Sequence, residues 1–276
     1  MGQDTRELGN RIKSFDSTLH LTRAMGLVAS SKIRRATEGM IHAKEYMSAV
    51  DDTMKILTAS PECAKSVYMT RGNRSGGKTK LIVIAGDRGL CGGYNANVFR
   101  MVREFPGAVI VPIGKRASDR YSDNEDGIYD SSEIYPFEKA KELADELCRE
   151  FNEGKYDRIG IVCNRYISII AQEVRVSWIL PLNRTESEIS GRKAGIVWEP
   201  DEMSMIEAIV PEYVAAMIIA AVRESFACEV AARRMAMDNA KKNAEQMIDD
   251  LQLEYNRARQ GAITQEITEI VAGSGD

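Results

Sequence analysis

The sequence predicts an α/β chain: a long antiparallel coiled coil formed by the N- and C-terminal helices, plus a central α/β domain with a mostly parallel sheet. Three observations carry this reading. A four-three repeat runs without a break over residues 8–57, apolar at every position but Thr22 and Gly26. A second stretch, 214–260, contains no Pro or Gly. Between the two, short apolar strands alternate with helical segments, the pattern of βαβ units.

The first helix is expected over residues 4–58. Asp4, with Glu7 three residues on, suits an N-terminal cap. The seam runs Leu8, Ile12, Phe15, Leu19, Thr22, Gly26, Ala29, Ile33, Ala36, Met40, Ala43, Met47, Val50, Met54, Leu57, and Ser60-Pro61 ends it. Thr22, Gly26 and Ala29 are small where a stable coiled coil prefers Leu or Ile. That part is either tightly apposed or held by something outside the pair. Arg11, Lys13, Arg23, Lys32, Arg34 and Arg35 face the single acid Asp16 over residues 11–35. Such a face is a solvated surface, a docking surface for an acidic partner, or a nucleic-acid contact, although no interleaved aromatic supports the last.

Residues 61–79 read as a flexible linker, polar and Gly-rich. Gly72, Gly77, Lys78 and Thr79 match the phosphate-loop spacing. A working phosphate loop leaves a strand and opens a helix. Here a polar stretch precedes the pattern and the strand 81–85 follows, so it reads as linker.

Residues 80–200 form the Rossmann-like α/β domain. Strands are expected at 81–85, 108–113, 158–163 and 174–180, and helices at 95–104 and 137–151. The loop Gly86-Asp87-Arg88-Gly89-Leu90-Cys91-Gly92-Gly93 lies between the first strand and first helix, where α/β folds bind phosphates. Its spacing is not that of a dinucleotide fingerprint, so a tight βα turn is the better reading. Nothing assembles a catalytic set, and the only histidines, His20 and His42, sit in the first helix. Asp126, Asp130 and Glu133 lack the spacing of a metal site. No catalytic, cofactor or metal residues are expected.

After Pro200, Ser204 and Glu207 suit a capping box for a short turn, and Pro211 suits the first turn of the long C-terminal helix. At roughly 60 residues this helix is about 90 Å long. Its seam runs Ala244, Ile248, Leu251, Tyr255, Ala258, Ala262, and it ends near Gly273. Past Ala262, Ile263, Ile267 and Ile270 make an apolar stripe on a segment that outruns the first helix by roughly ten residues by the same spacing. An unpaired stripe implies a socket in another protein. The division is therefore 1–60 helix, 61–79 linker, 80–200 α/β domain, and 204–276 helix and tip.

The 276 residues carry a net charge of −4, which argues against a protein coating nucleic acid. The five cysteines are scattered and odd in number, as in a cytosol-facing protein with reduced thiols. The first 20 residues are highly charged, so no signal peptide is read there. The longest apolar run, 213–222, is about half of a membrane span.

Three motifs now become specific. Thr22-Arg23-Ala24-Met25, Val28-Ala29-Ser30-Ser31-Lys32 and Arg34-Arg35-Ala36 resemble the N-terminal signature of the gamma subunit of F-type ATP synthases. Asp87-Arg88-Gly89-Leu90-Cys91-Gly92-Gly93-Tyr94-Asn95 resembles that family's central loop. Leu251-Gln252-Leu253, then Tyr255-Asn256-Arg257-Ala258-Arg259-Gln260 and Ile263-Thr264-Gln265-Glu266-Ile267-Thr268-Glu269-Ile270, resembles its C-terminal signature. The middle, about 115–200, is similar only in general character. Leu19-His20-Leu21, Gly26 and Gly261 depart from the family pattern.

The resemblance implies a non-catalytic rotor shaft that couples ion flow to ATP synthesis. Its partners would be three alpha and three beta subunits, the epsilon subunit and a ring of c subunits, with no nucleic acid and no direct membrane insertion. It would sit peripherally on the cytoplasmic face of a bacterial-type membrane. By the same resemblance, partner contacts fall on Met25, Arg88, Arg259, Gln260, Thr264, Gln265 and Glu266, with Ile267 and Ile270 of the tip stripe. The alternative is a nucleotide-binding coiled-coil protein using Gly72–Thr79 or Gly86–Gly93.

Overall fold

The computed structural model describes residues 3–70, 77–122, 129–183 and 198–273. The chain divides into two units. One holds residues up to Ser31 together with those from Arg233 onward. The other runs from Lys32 to Ala232.

The first unit is a two-helix coiled coil. It contains the start of α1, Gln3–Thr58, and the end of α6, Glu202–Gly273. Gly9 lies against Tyr255 and Gly26 against Met237, so the helices run antiparallel. Every expected seam position of α1, from Leu8 to Leu57, is buried or half-buried, as are Ala244 through Ala262 of α6. The hydroxyl of buried Thr22 donates to the Leu19 carbonyl at 3.0 Å, which satisfies it within its own helix. The side chain of Asp4, expected as a cap, lies outside the described residues.

The second unit is the α/β domain with the inner ends of both long helices. Its sheet has the order β2-β1-β3-β4: Val109–Ile113, Thr79–Ile84, Arg158–Tyr166 and Gln172–Leu180. β1 is flanked in parallel by β2 and β3, while β3 and β4 pair antiparallel. β1 is central and buried at all six positions. Pro112 confines β2 to an edge, because a proline has no N–H for a further ladder. Only five residues join β3 to β4, too few for a parallel crossover.

α3 (Tyr94–Val102) packs on one face of the sheet through Val98 and Val102. The other face is covered by α5 (Phe137–Asn152) and by α6 from Ile206 to Val222. That stretch of α6 is apolar nearly all round, as a helix enclosed in a core must be. By length and composition alone α6 could cross a membrane, but half of its apolar window is buried inside this unit.

Four local expectations change. Part of the expected linker is folded: a 3-10 turn, Cys63–Lys65, and α2, Val67–Thr70, place Cys63 and Tyr68 in the main core. The helix α4, Lys115–Tyr121, was not anticipated, because Arg, Ser and Asp dilute its apolar period. α6 begins at Glu202, so Pro211 lies inside it and removes one backbone bond. Finally, Asp201 rather than Ser204 caps α6: its carboxylate accepts from the Ser204 N–H at 2.8 Å and lies 2.9 Å from the Ser204 hydroxyl.

Two predictions follow from this geometry. A Cβ at Gly26 would meet only Met237 and Asp238 at 3.7 and 3.9 Å, and one at Gly261 would meet nothing. Gly26→Ala and Gly261→Ala should each stabilise the chain by about 0.5–1 kcal/mol, read from urea melts. Hydrogen bonds from Ser204 hold the Asp201 carboxyl below its ordinary pKa. A depressed acid stabilises above its unfolded pKa and loses that contribution as pH falls through the folded one. Asp201→Ala should therefore lower the melting temperature at neutral pH and lose part of its difference from the parent below about pH 4.

Candidate functional site

The end of α6 carries most of the expected partner residues. Tyr255 lies beside Gly9, and α1 begins at Gln3, so α6 runs out of partner near residue 261. Ala262 is the last half-buried position, and every residue from Ile263 to Gly273 is exposed. Ile263, Ile267, Ile270 and Val271 are 48, 56, 70 and 66% exposed. The polar residues between them close locally. The hydroxyls of Thr264 and Thr268 donate to the Gln260 and Thr264 carbonyls, and the Gln265 amide donates to Glu269 at 3.0 Å. Arg259, Gln260, Thr264, Gln265, Glu266, Ile267 and Ile270 thus share about three exposed turns at the end of α6.

Met25 is not gathered with them. It is half-buried on α1, beside the level of Met237 and Asp238, some 30 Å of helix from Arg259. Arg88 belongs to the other unit, exposed on the loop after β1.

The basic face of α1 is partly neutralised. Arg23 pairs with Glu245 at 2.8 Å, Lys32 with Glu133 at 2.5 Å and Arg34 with Glu38 at 2.8 Å. Arg11, Lys13 and Arg35 make no ion pair among the described residues, so they carry what remains of the face.

Neither phosphate reading finds its geometry among the described residues. The Lys78 N–H donates to Asp157 at 2.8 Å, and the Thr79 hydroxyl, already in β1, accepts from Arg158 at 2.7 Å. Residues 71–76 lie outside the described set. In the loop after β1, Asp87 turns inward. It accepts from the backbone N–H groups of Lys115, Ser132 and Glu133 at 3.0–3.1 Å and from the Ser131 hydroxyl. A carboxylate facing inward with four donors is a structural tie, and its charge opposes a phosphate. Of the expected acidic trio, Asp130 pairs with Lys139 and Glu133 with Lys32, while Asp126 lies outside the described residues. No metal-binding cluster occurs among the described residues. A cleft of about 160 Å³ lies between α1 and the end of β4, but the Asp51 and Lys55 that line it pair with each other.

The family comparison decides between the readings. A family model described as ATP synthase matches residues 4–275. An ATP synthase gamma chain from Ruminococcus albus is 36% identical over 98% of this chain and 97% of its own length. The chain belongs to the ATP synthase gamma chain family. A gamma chain described as sodium ion specific, from Acetobacterium woodii, is 34% identical over 99% of both chains. The fold agrees: a chain of the Euglena gracilis mitochondrial ATP synthase matches with a TM-score of 0.66 over 99% of this chain and 94% of its own, at 19% identity.

The thiols of this chain are sequestered. All five cysteines are free and buried. Burial pushes Cys148 and Cys163 up to about 12, and Cys228 is raised further by the same cause. The thiolate is the reactive form. A thiol reagent at pH 8 should therefore label the native chain slowly, at the rate of its unfolding, and label five thiols at once in denaturant. Rapid labelling of the native chain would contradict this burial.

Proposed function

We propose that this chain is the central rotor shaft of an F-type ATP synthase, coupling ion flow through the membrane ring to ATP synthesis or hydrolysis in the catalytic head. Family membership over nearly the whole chain carries the reading. The exposed apolar end of α6 supports it, since a contiguous apolar stripe facing water marks an interaction site.

The partners are three alpha and three beta subunits around the coiled coil, with the epsilon subunit and the ring of c subunits on the α/β unit. The assembly lies on the cytoplasmic face of the cell membrane, and the shaft itself carries no catalytic group. Ile267 and Ile270 fill an apolar socket in the head. Arg259, Gln260, Thr264, Gln265 and Glu266 contact its rim. Met25 and Arg88 contact the head at separate levels. Arg11, Lys13 and Arg35 face acidic segments of the beta subunits.

The mechanism is mechanical. A two-helix shaft has no threefold symmetry, so each beta subunit meets a different face of it. Each contact favours one conformation of the subunit it touches and so sets its nucleotide affinity. Turning the shaft passes each subunit through all three states.

Mixing the chain with alpha and beta subunits should give one copy per hexamer, with ATPase activity only in the complex. Two or more copies, or no assembly, would contradict the proposal. Deleting residues 267–276 should leave the isolated chain's melting temperature within about 2 °C, because residues 267–273 are exposed. The same deletion should weaken assembly with the head.

A further inference from the structure

Three consecutive residues of α6 each bond a different part of the α/β unit. Arg223 donates from its two terminal nitrogens to the carbonyls of Glu133 and Tyr135, at 3.2 Å each. Buried Glu224 accepts from Lys44 of α1 at 2.7 Å and from the Tyr166 N–H, at the end of β3, at 3.0 Å. Tyr94, the first residue of α3, donates its hydroxyl to the Ser225 carbonyl at 2.9 Å, with the Ser225 hydroxyl 2.6 Å away. Successive helix residues point about 100° apart, so these bonds enter α6 over an arc of about 200° within one turn. The loop that Arg223 grips is itself tied down, by Asp87 from the loop after β1 and by the Glu133–Lys32 pair to α1.

The preceding turns of α6 are held differently. Apart from the exposed Lys141–Glu212 pair and the Ser60–Glu202 bond at the first residue of α6, they are held by apolar burial, with Ile206, Val210, Val214, Ile218 and Val222 in the core. That force scales with area and has no direction, so it resists separation more than it resists rotation of the helix about its own axis. Hydrogen bonds have angular limits and do resist that rotation.

We infer that Arg223, Glu224 and Ser225 act as a rotational key, fixing α6 about its own axis within the α/β unit so that torque on the unit passes into the helix. The inference rests on the rotor reading above. It assigns a positioning role to residues that touch none of the expected head contacts.

The test uses the complete complex in lipid vesicles, with ATP hydrolysis and ATP-driven ion uptake measured side by side. The chains compared are the parent, Tyr94→Phe, Arg223→Ala, the double variant and Arg223→Lys. The double variant should hydrolyse ATP within about two-fold of the parent yet move at least about three-fold fewer ions per ATP. The single variants should fall between, and Arg223→Lys, which keeps a donor, should lie above Arg223→Ala. An unchanged ratio of ions to ATP in the double variant overturns the key. So does an equal loss of hydrolysis and uptake in every variant, which would mark a merely structural role. If the double variant does not assemble, the two single variants decide, and unchanged ratios in both overturn it. Failure of the parent chain to support hydrolysis overturns the rotor reading instead, before any variant is compared.

Discussion

A single helix of 72 residues cannot find one environment for its whole length, and the rest of the molecule follows from how α6 divides its surface. Its first twenty or so residues are apolar nearly all round and form one wall of the α/β core. Its middle keeps a narrow seam, Ala244 to Ala262, wide enough for one partner helix. Its last eleven residues carry an exposed apolar stripe. The pattern of apolar residues, not any break in the backbone, marks where one environment ends and the next begins.

The same division explains the use of small residues. Gly26 and Ala29 of α1 allow close approach at the level of Met237, where a pair built for stability alone would carry larger side chains. The seam there is supplemented by the Arg23–Glu245 pair, exposed and so worth little by itself. In the α/β unit the polar ties reach inward instead: Glu224 of the Lys44–Glu224 pair and Lys80 of the Lys80–Glu150 pair are buried, and the Asp87 hub is half-buried. Breaking one of these would leave a charge without solvent or partner, so they specify arrangement more sharply than surface pairs do.

Much of this was legible in the sequence because periodicity reports burial directly. All fifteen expected seam positions of α1 are sheltered from solvent, and the end of the seam at Ala262 coincides with the start of full exposure. The strands were readable because parallel strands buried on both faces are continuous apolar runs, as β1 is. What escaped depends on contacts distant in sequence. Tyr68 stacks on Phe151, and nothing near Tyr68 announces it. Glu133 pairs with Lys32 across a hundred residues, which turns part of an apparent basic face into an internal tie. The capping role of Asp201 was missed because the Ser204–Glu207 spacing offered a competing signal. Seven of the residues expected to meet partners, Arg259 to Ile270, are exposed at the end of α6, where the stripe read from spacing also lies.

The central claim is that this chain turns as an axle inside a threefold ring. Fixing an assembled head to a surface and attaching a bead to the α/β unit tests it most directly. On addition of ATP the bead should rotate in one direction with three equal steps per turn, one for each beta subunit. A bead that stays fixed while ATP is hydrolysed, or that moves without threefold steps, would contradict the account.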